Sequence, residues 1–364
     1  MLNLAVGKVV AIADERPGAV EMTVQVSGSR QKAIVYTPLS PTPVVGDEVL
    51  LNTTAVDLEL GTGGYHFVVA NLTRPAEQLT AGPGHIMKLR YTPMQHSVMT
   101  VEEEESPWRE QIEHTVSLDG TPVVCCQLQS QIGPVAGSVE RMIGNDARVV
   151  YVMTGDAALA AGFSKYLWQL KDCGLIDAVI TCEQAFGGDY EAVNLYTGMI
   201  AAREVADADV IVICQGPGNT GTDTRLGFSS ICQAEALHAA YALGGTPIGV
   251  VRLSFADPRA RHQGVSHHSQ TVLGRLTIPR VTVAVPELPK DQAQVVSSML
   301  ESSGIVEKHD VRYADGLAGV EEVLSRRVAL RTMGRSFDED PAAFLSPGAA
   351  GAIAGEIVCA TRQR

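Results

Sequence analysis

Arg252–Ser269, RLSFADPRARHQGVSHHS, gathers three arginines, one aspartate and three histidines in a single stretch. Arginine presents a planar fork of donors that matches a carboxylate or phosphate, so Arg252 and Arg259, with the hydroxyl of Ser254, are candidate ligand-binding groups. His267 or His268 is a candidate general acid or base, or an electrostatic stabiliser. Adjacent residues on a helix point about 100° apart, so one of the two is expected to face a pocket. Asp257 is a further catalytic candidate. It also permits a metal reading with His262 and His267 or His268, but the spacing matches no strong zinc pattern and acid–base use ranks above it. The bland alternative is that these side chains cap a helix and bond the loop backbone.

A second stretch, Val210–Ser230, reads as a short β-branched strand, a glycine-rich loop and the start of a helix capped by Ser229 or Ser230. Glycine lets backbone approach a ligand, and a helix N-terminus favours negative charge. Gly216, Gly218, Asn219, Thr220, Gly221, Thr222 and Thr224 are therefore candidate binding residues for an anion or phosphate. Gly216–Gly221 also matches G-x-G-x-x-G, a weak signal alone. The helix begins some residues after Gly221, and Arg252 rather than an acid ends the next strand. An arginine there suits a 2′-phosphate, which keeps an NADP-dependent oxidoreductase as a third reading. A glycine-rich turn without a dinucleotide is the plainer one. No lysine completes a nucleotide P-loop.

Asp156 and Glu183 are lone carboxylates at strand ends. Each reads equally as a general base, or a ligand of phosphate-borne magnesium, and as a helix cap, Asp156 beginning a helix at Ala157. No nucleophile motif appears, and Cys182 and Cys214 read as buried.

The elements that position these groups follow from hydrophobic periodicity. Residues 1–75 carry five short strands divided by turn material, including Gly61-Thr62-Gly63-Gly64, which predicts a small barrel-like β domain. Residues 76–120 form a bridge with a break at Gly82-Pro83-Gly84, a short strand within His85–Thr92 and an acidic run, Glu102–Glu105, expected to be a solvated face or a first helical turn. From Pro122 apolar strands alternate with helices (Ala157–Cys173 and Tyr190–Val205 among them). Six strands are expected in a Rossmann-like, mostly parallel sheet with helices on both faces, filling residues 121–364 together with a helical C-terminal segment. Asp338-Glu339-Asp340 reads as a helix start and the last helix as structural. Right-handed crossovers bring all strand C-termini to one edge, where ligands bind in open α/β sheets.

Composition narrows the partners. A net charge of −13 with 5% aromatics argues against nucleic-acid binding but not against a small anionic molecule. No run of about 18 uncharged apolar residues is evident, so no membrane span is expected, and the N-terminus lacks the pattern of a secretory leader. Seven cysteines, mostly in apolar runs and without C-x-x-C, suit reduced thiols in the cytoplasm. Cofactor identity and homo-oligomerisation are left open by the sequence.

GPGNTGTDTRLGFSS (Gly216–Ser230), Gln233 and Glu235, GGTPIGVVRLSFADPRARHQGVSHHS (Gly244–Ser269) and TGDAALAAGFS (Thr154–Ser164) make the chain resemble a bacterial family catalogued as domain of unknown function 3866. The family pattern carries glycine where this chain has Asp223, which weakens a purely phosphate-facing loop. The resemblance implies organisation and not a reaction. The reading is an enzyme acting on a small anionic metabolite, phosphorylated among the options. The alternative is a non-catalytic ligand-sensing or assembly module using the same pocket.

Overall fold

Two blocks of strands build this protein. The computed structural model describes residues 2–61, 63–74 and 84–363, so Thr62 and the Gly82-Pro83 break lie outside the described residues. The first block is a closed barrel of β1 (Leu4–Arg16), β2 (Ala19–Val26), β3 (Ser29–Tyr36), β4 (Glu48–Asn52) and β5 (Tyr65–Asn71), in the order β1-β2-β3-β5-β4. β1 closes it by pairing with both β2 and β4, and register shifts at Val9/Ala11 and Ile12/Asp14 mark irregularities along it. Val9, Val20, Met22, Val24, Val35, Val49 and Leu51 fill the interior.

The second block is an eight-stranded sheet of β6 (Pro122–Cys125), β7 (Val149–Thr154), β8 (Ala178–Cys182), β9 (Tyr190–Ala192), β10 (Val210–Gln215), β11 (Thr246–Val250), β12 (Thr282–Pro286) and β13 (Asp310–Ala314). The order is β9-β8-β7-β10-β6-β11-β12-β13, and every neighbouring pair is parallel. Every residue of β6, β7, β8 and β10 is buried, as continuous apolar runs require when helices cover both faces. One core cluster lies on each face. Arg16 joins the barrel to this block, donating through Nε to the Gly162 carbonyl at 2.7 Å, while Lys165 pairs with Glu21 at 2.7 Å.

Several expected elements are replaced. The sheet has eight strands and not six, because Tyr190–Ala192 and Asp310–Ala314 add an edge strand at each side. The helix expected over Ala157–Cys173 spans only Lys165–Asp172, capped by Ser164, so Asp156 does not begin it. Leu195–Glu204, capped by Asn194, replaces the helix expected from Tyr190. Ile86–Lys88 is a short strand paired with His96–Val98. The acidic run is not uniformly solvated: Glu103 accepts from the Thr100 N–H at 2.7 Å and Glu102 from the Val193 N–H at 2.8 Å. Helix Ala342–Arg362 is long and apolar enough to span a membrane by length and composition, although Glu356 interrupts its uncharged run, and 67% of its apolar window is buried in the fold. It sits against the helix Ile132–Ile143 so closely that a Cβ on Gly351 would come 2.2 Å from the Val135 carbonyl oxygen. None of the seven cysteines is in a disulfide.

Candidate functional site

β11 delivers the chain to the sheet edge at Arg252. Leu253–Ser254 then pairs antiparallel with Gly264–Val265, closing the base of the loop between them. The base is held by the Ser266 N–H donating to the Arg252 carbonyl at 2.9 Å and the Arg252 N–H donating to Ser269 Oγ at 2.8 Å. Inside the loop Asp257 is buried and takes two hydrogen bonds from the Arg259 guanidinium, at 2.9 and 2.8 Å, and one from Arg335 at 3.2 Å. The Arg259 bonds hold its carboxyl well below the usual carboxylate range. Asp340 continues the network, accepting from Ser254 Oγ at 2.6 Å and Arg335 Nε at 3.0 Å. Asp257, Arg259 and Ser254, singled out for chemistry, therefore bond one another and the C-terminal segment. Asp340 is a member of this network and also stands at the expected helix start, directly before Pro341 and the helix Ala342–Arg362.

The histidines behave differently. Ser266 caps the helix His267–Thr271 and brings both adjacent imidazoles beside His262, which arrives from the loop. Ring centroids lie 5.0 Å apart for His262–His267 and His262–His268, and 4.3 Å for His267–His268. The two adjacent rings therefore lie close despite the helical offset. His262 and His268 are buried, and burial, reinforced by the charge of Arg252, pushes them down to about 3 and about 2. His267 is lowered too, by burial first and then by Arg261. All three are neutral near pH 7. His262 Nδ1 meets Ser266 Oγ at 2.8 Å, and His268 Nδ1 lies 3.3 Å from an Arg252 N–H donor. His267 Nε2 is buried with no hydrogen-bond partner among the described residues. Arg252 is itself buried, which lowers it to about 10.

The glycine loop is largely closed on itself. Asn219 Oδ1 accepts from Ser229 Oγ at 2.8 Å and from the Ser230 N–H at 3.1 Å, so a side chain of the loop, and neither Ser229 nor Ser230, holds the entry to the helix Cys232–Ala242. Thr220 donates its N–H to Ser229 Oγ at 3.0 Å, and Thr222 and Thr224 share a hydroxyl–hydroxyl bond at 2.8 Å. Gly216 is required by packing, since a Cβ there would come 2.2 Å from the Ala158 carbonyl oxygen. Gly218 has φ +99°, a backbone conformation suited to glycine. The loop does not pass directly into its helix, which begins only at Cys232 after a turn at Ser229–Ile231, so it lacks the geometry of a dinucleotide turn.

The two loops meet at the far end of the glycine segment. A Cβ on Gly221 would lie 3.9 Å from His268 Nε2, and Asp223 pairs with Arg261 at 2.5 Å. Yet the candidates do not line one cavity. A cavity of about 580 Å³ is lined by Asp223, Arg225, Arg261, His267, Arg275 and Ser302, among others. Gly216, Gly218 and Asn219 line another, of about 400 Å³, with Gln129, Ser130 and Arg331. Among the described residues, Arg225 and Arg275 have no carboxylate partner within ion-pair distance. Asp156 and Glu183 lie apart: both are exposed, Glu183 accepts from the Gly155 N–H at 3.3 Å, and no hydrogen bond or ion pair among the described residues joins either to the histidines. Arg225, Arg275, Phe228 and Arg335 were not singled out in the sequence. Arg225 lay inside a motif already quoted and was visible as a charge on the loop. Nothing in the local pattern marks Arg275 or Arg335.

The model of a family described as protein of unknown function (DUF3866) matches residues 32–351, and the chain belongs to that family. No curated protein matches it.

Proposed function

We propose that this member of the family is an enzyme acting on a small anionic metabolite, bound in the cavity of about 580 Å³ beside the histidine cluster. The observation that carries this reading is the set of three arginines, Arg225, Arg261 and Arg275, around one cavity that also contains His267. Among the described residues only Arg261 of the three has an acidic partner, Asp223, leaving two guanidinium groups for a phosphate or carboxylate. The cavity has room for a metabolite of modest size. Arg252, largely buried and 3.3 Å from His268, adds positive potential. Seven unpaired thiols, five of them buried, support a reducing, cytoplasmic setting.

A second reading, a ligand-sensing module, is favoured by the other cavity. Gly216, Gly218, Asn219, Gln129 and Arg331 line it without an acid–base pair, and Gln129 Nε2 is buried with no hydrogen-bond partner among the described residues. A thermal-shift screen with sugar phosphates, nucleotides and small dicarboxylates separates the two, because a ligand stabilises the state it binds. Run on wild type, Arg225→Ala/Arg275→Ala and Arg331→Ala, the enzyme reading predicts that the first variant loses the response and the second keeps it. The opposite pattern assigns the ligand to the glycine-lined cavity.

A further inference from the structure

The three histidines carry more than the anion reading needs. Each offers one ring nitrogen, and the three nitrogens lie within 4.8 Å of one another. His262 is oriented by its neighbour: Nδ1 is fixed on Ser266 Oγ at 2.8 Å, which leaves Nε2 as its free ligand atom. A partner on the far ring nitrogen is the usual way a metal-binding imidazole is aimed. His267 Nε2 is buried and has no hydrogen-bond partner among the described residues, although a buried polar atom ordinarily has one. We propose that His262, His267 and His268 bind one divalent transition ion, with zinc the best match.

The donor set decides the metal class. Three imidazoles with no carboxylate among them suit zinc, copper or nickel, and do not suit magnesium or calcium, which take oxygen ligands. Three protein ligands are the number found at catalytic zinc sites, where the fourth position stays open, whereas structural sites are closed by four. The open side is given by His267, which is shared between the cluster and the arginine-lined cavity. Arg252 sets a condition. Its guanidinium N–H lies 3.3 Å from His268 Nδ1, so metal binding through this ring requires that contact to rearrange. The positive charge opposes a bare cation and favours an anion as the fourth ligand. Metal and anion therefore bind with mutual assistance, and only this coupling rests on the proposed function. The metal site stands on the histidines.

The test uses full-length protein stripped with a chelator and then titrated with Co²⁺ and Zn²⁺. Wild type is expected to develop the visible d–d bands of four-coordinate Co²⁺ at one equivalent, and Zn²⁺ to bleach them. His267→Gln, at a half-buried position, is expected to keep the fold by circular dichroism and to bind Zn²⁺ at least tenfold more weakly. Exposed His114→Ala is expected to match wild type. No metal bound by wild type, or equal affinity in His267→Gln, overturns the proposal. Phosphate binding by the chelated wild type is measured separately, so loss of the metal site and loss of the anion site give different results.

Discussion

The ring of Phe228 lies flat on that of His268, with centroids 3.8 Å apart and planes 5° from parallel. Phe228 ends the glycine segment and His268 lies in the first turn of the helix after the other loop, so this stack fastens one loop to the other. Phe228 is 4% exposed, and its isolated bridge to Gly221 sets the loop's return. Truncating a buried phenylalanine costs about 3–5 kcal/mol. Phe228→Ala is expected to lose stability in that range by urea unfolding and to weaken anion binding as well. A variant with full stability and wild-type binding would mean that the stack does not organise the site.

Asp257 ties Arg259 to Arg335 below the histidines. Its carboxyl is held down in the fold by the Arg259 bonds, so the native state binds fewer protons than the unfolded chain as pH falls past the ordinary aspartate range near about 4. The resulting stability is fully present above that range and is lost as pH drops towards the depressed folded value. Asp257→Asn removes the charge that Arg259 and Arg335 share, and because Arg259 is part exposed the loss is expected to be about 1.5–3 kcal/mol at neutral pH. Melting temperatures from pH 7 down to pH 3 are expected to fall less steeply in the variant than in wild type. Parallel curves would show that Asp257 contributes nothing to acid sensitivity.

Lys88 is fully buried and faces Glu191 at 3.3 Å, beside the carbonyls of Thr181 and Ala192. Burial raises the Glu191 carboxyl even with this partner present. In Lys88→Met the carboxyl keeps the Thr181 hydroxyl and the Gly187 N–H but loses its counter-charge, at a cost of about 3–5 kcal/mol. Its folded value then rises further above the unfolded one, so the variant is expected to be less stable at pH 8 than at pH 5 relative to wild type. Adding Glu191→Gln is expected to restore much of the loss. A pH-independent difference would exclude the charge as its cause.

Gly216 and Gly218 separate packing from ligand binding. Gly216→Ala forces a Cβ against the Ala158 carbonyl, and strain of this kind costs about 1–3 kcal/mol. Gly218→Ala meets no atom within 4 Å but has to occupy φ +99°. Both are expected to lower thermal stability while leaving phosphate affinity at the arginine-lined cavity unchanged. A loss of affinity in a stable Gly218→Ala protein would return the glycine loop to the binding site.

The strands buried on both faces were legible because β-branched runs such as VVYVM and VIVIC admit little else. Tyr190–Ala192 and Asp310–Ala314 were not, because a strand of three residues and one with an exposed Asp310 and Tyr313 lack that signature. The two site stretches were legible as dense groups of polar and glycine residues at strand ends. Their internal division was not. Asp257 and Arg259, two apart in sequence, pair locally within the loop, whereas Asp340 reaches Phe255 across 85 positions, a relation set by tertiary packing. His262 was named beside His267 or His268, but with Asp257 in the set; that both adjacent rings join it and Asp257 does not depends on the approach of a loop, about which helical spacing says nothing.

The claim that anions bind among Arg225, Arg261 and Arg275 is met most directly by calorimetric titration of inorganic phosphate into wild type and Arg225→Ala/Arg275→Ala. Both arginines are exposed, so the variant is expected to fold normally. The account predicts one phosphate bound by wild type and an affinity at least tenfold weaker in the variant, a loss of about 1.4 kcal/mol or more. Equal affinity in the two proteins would contradict it.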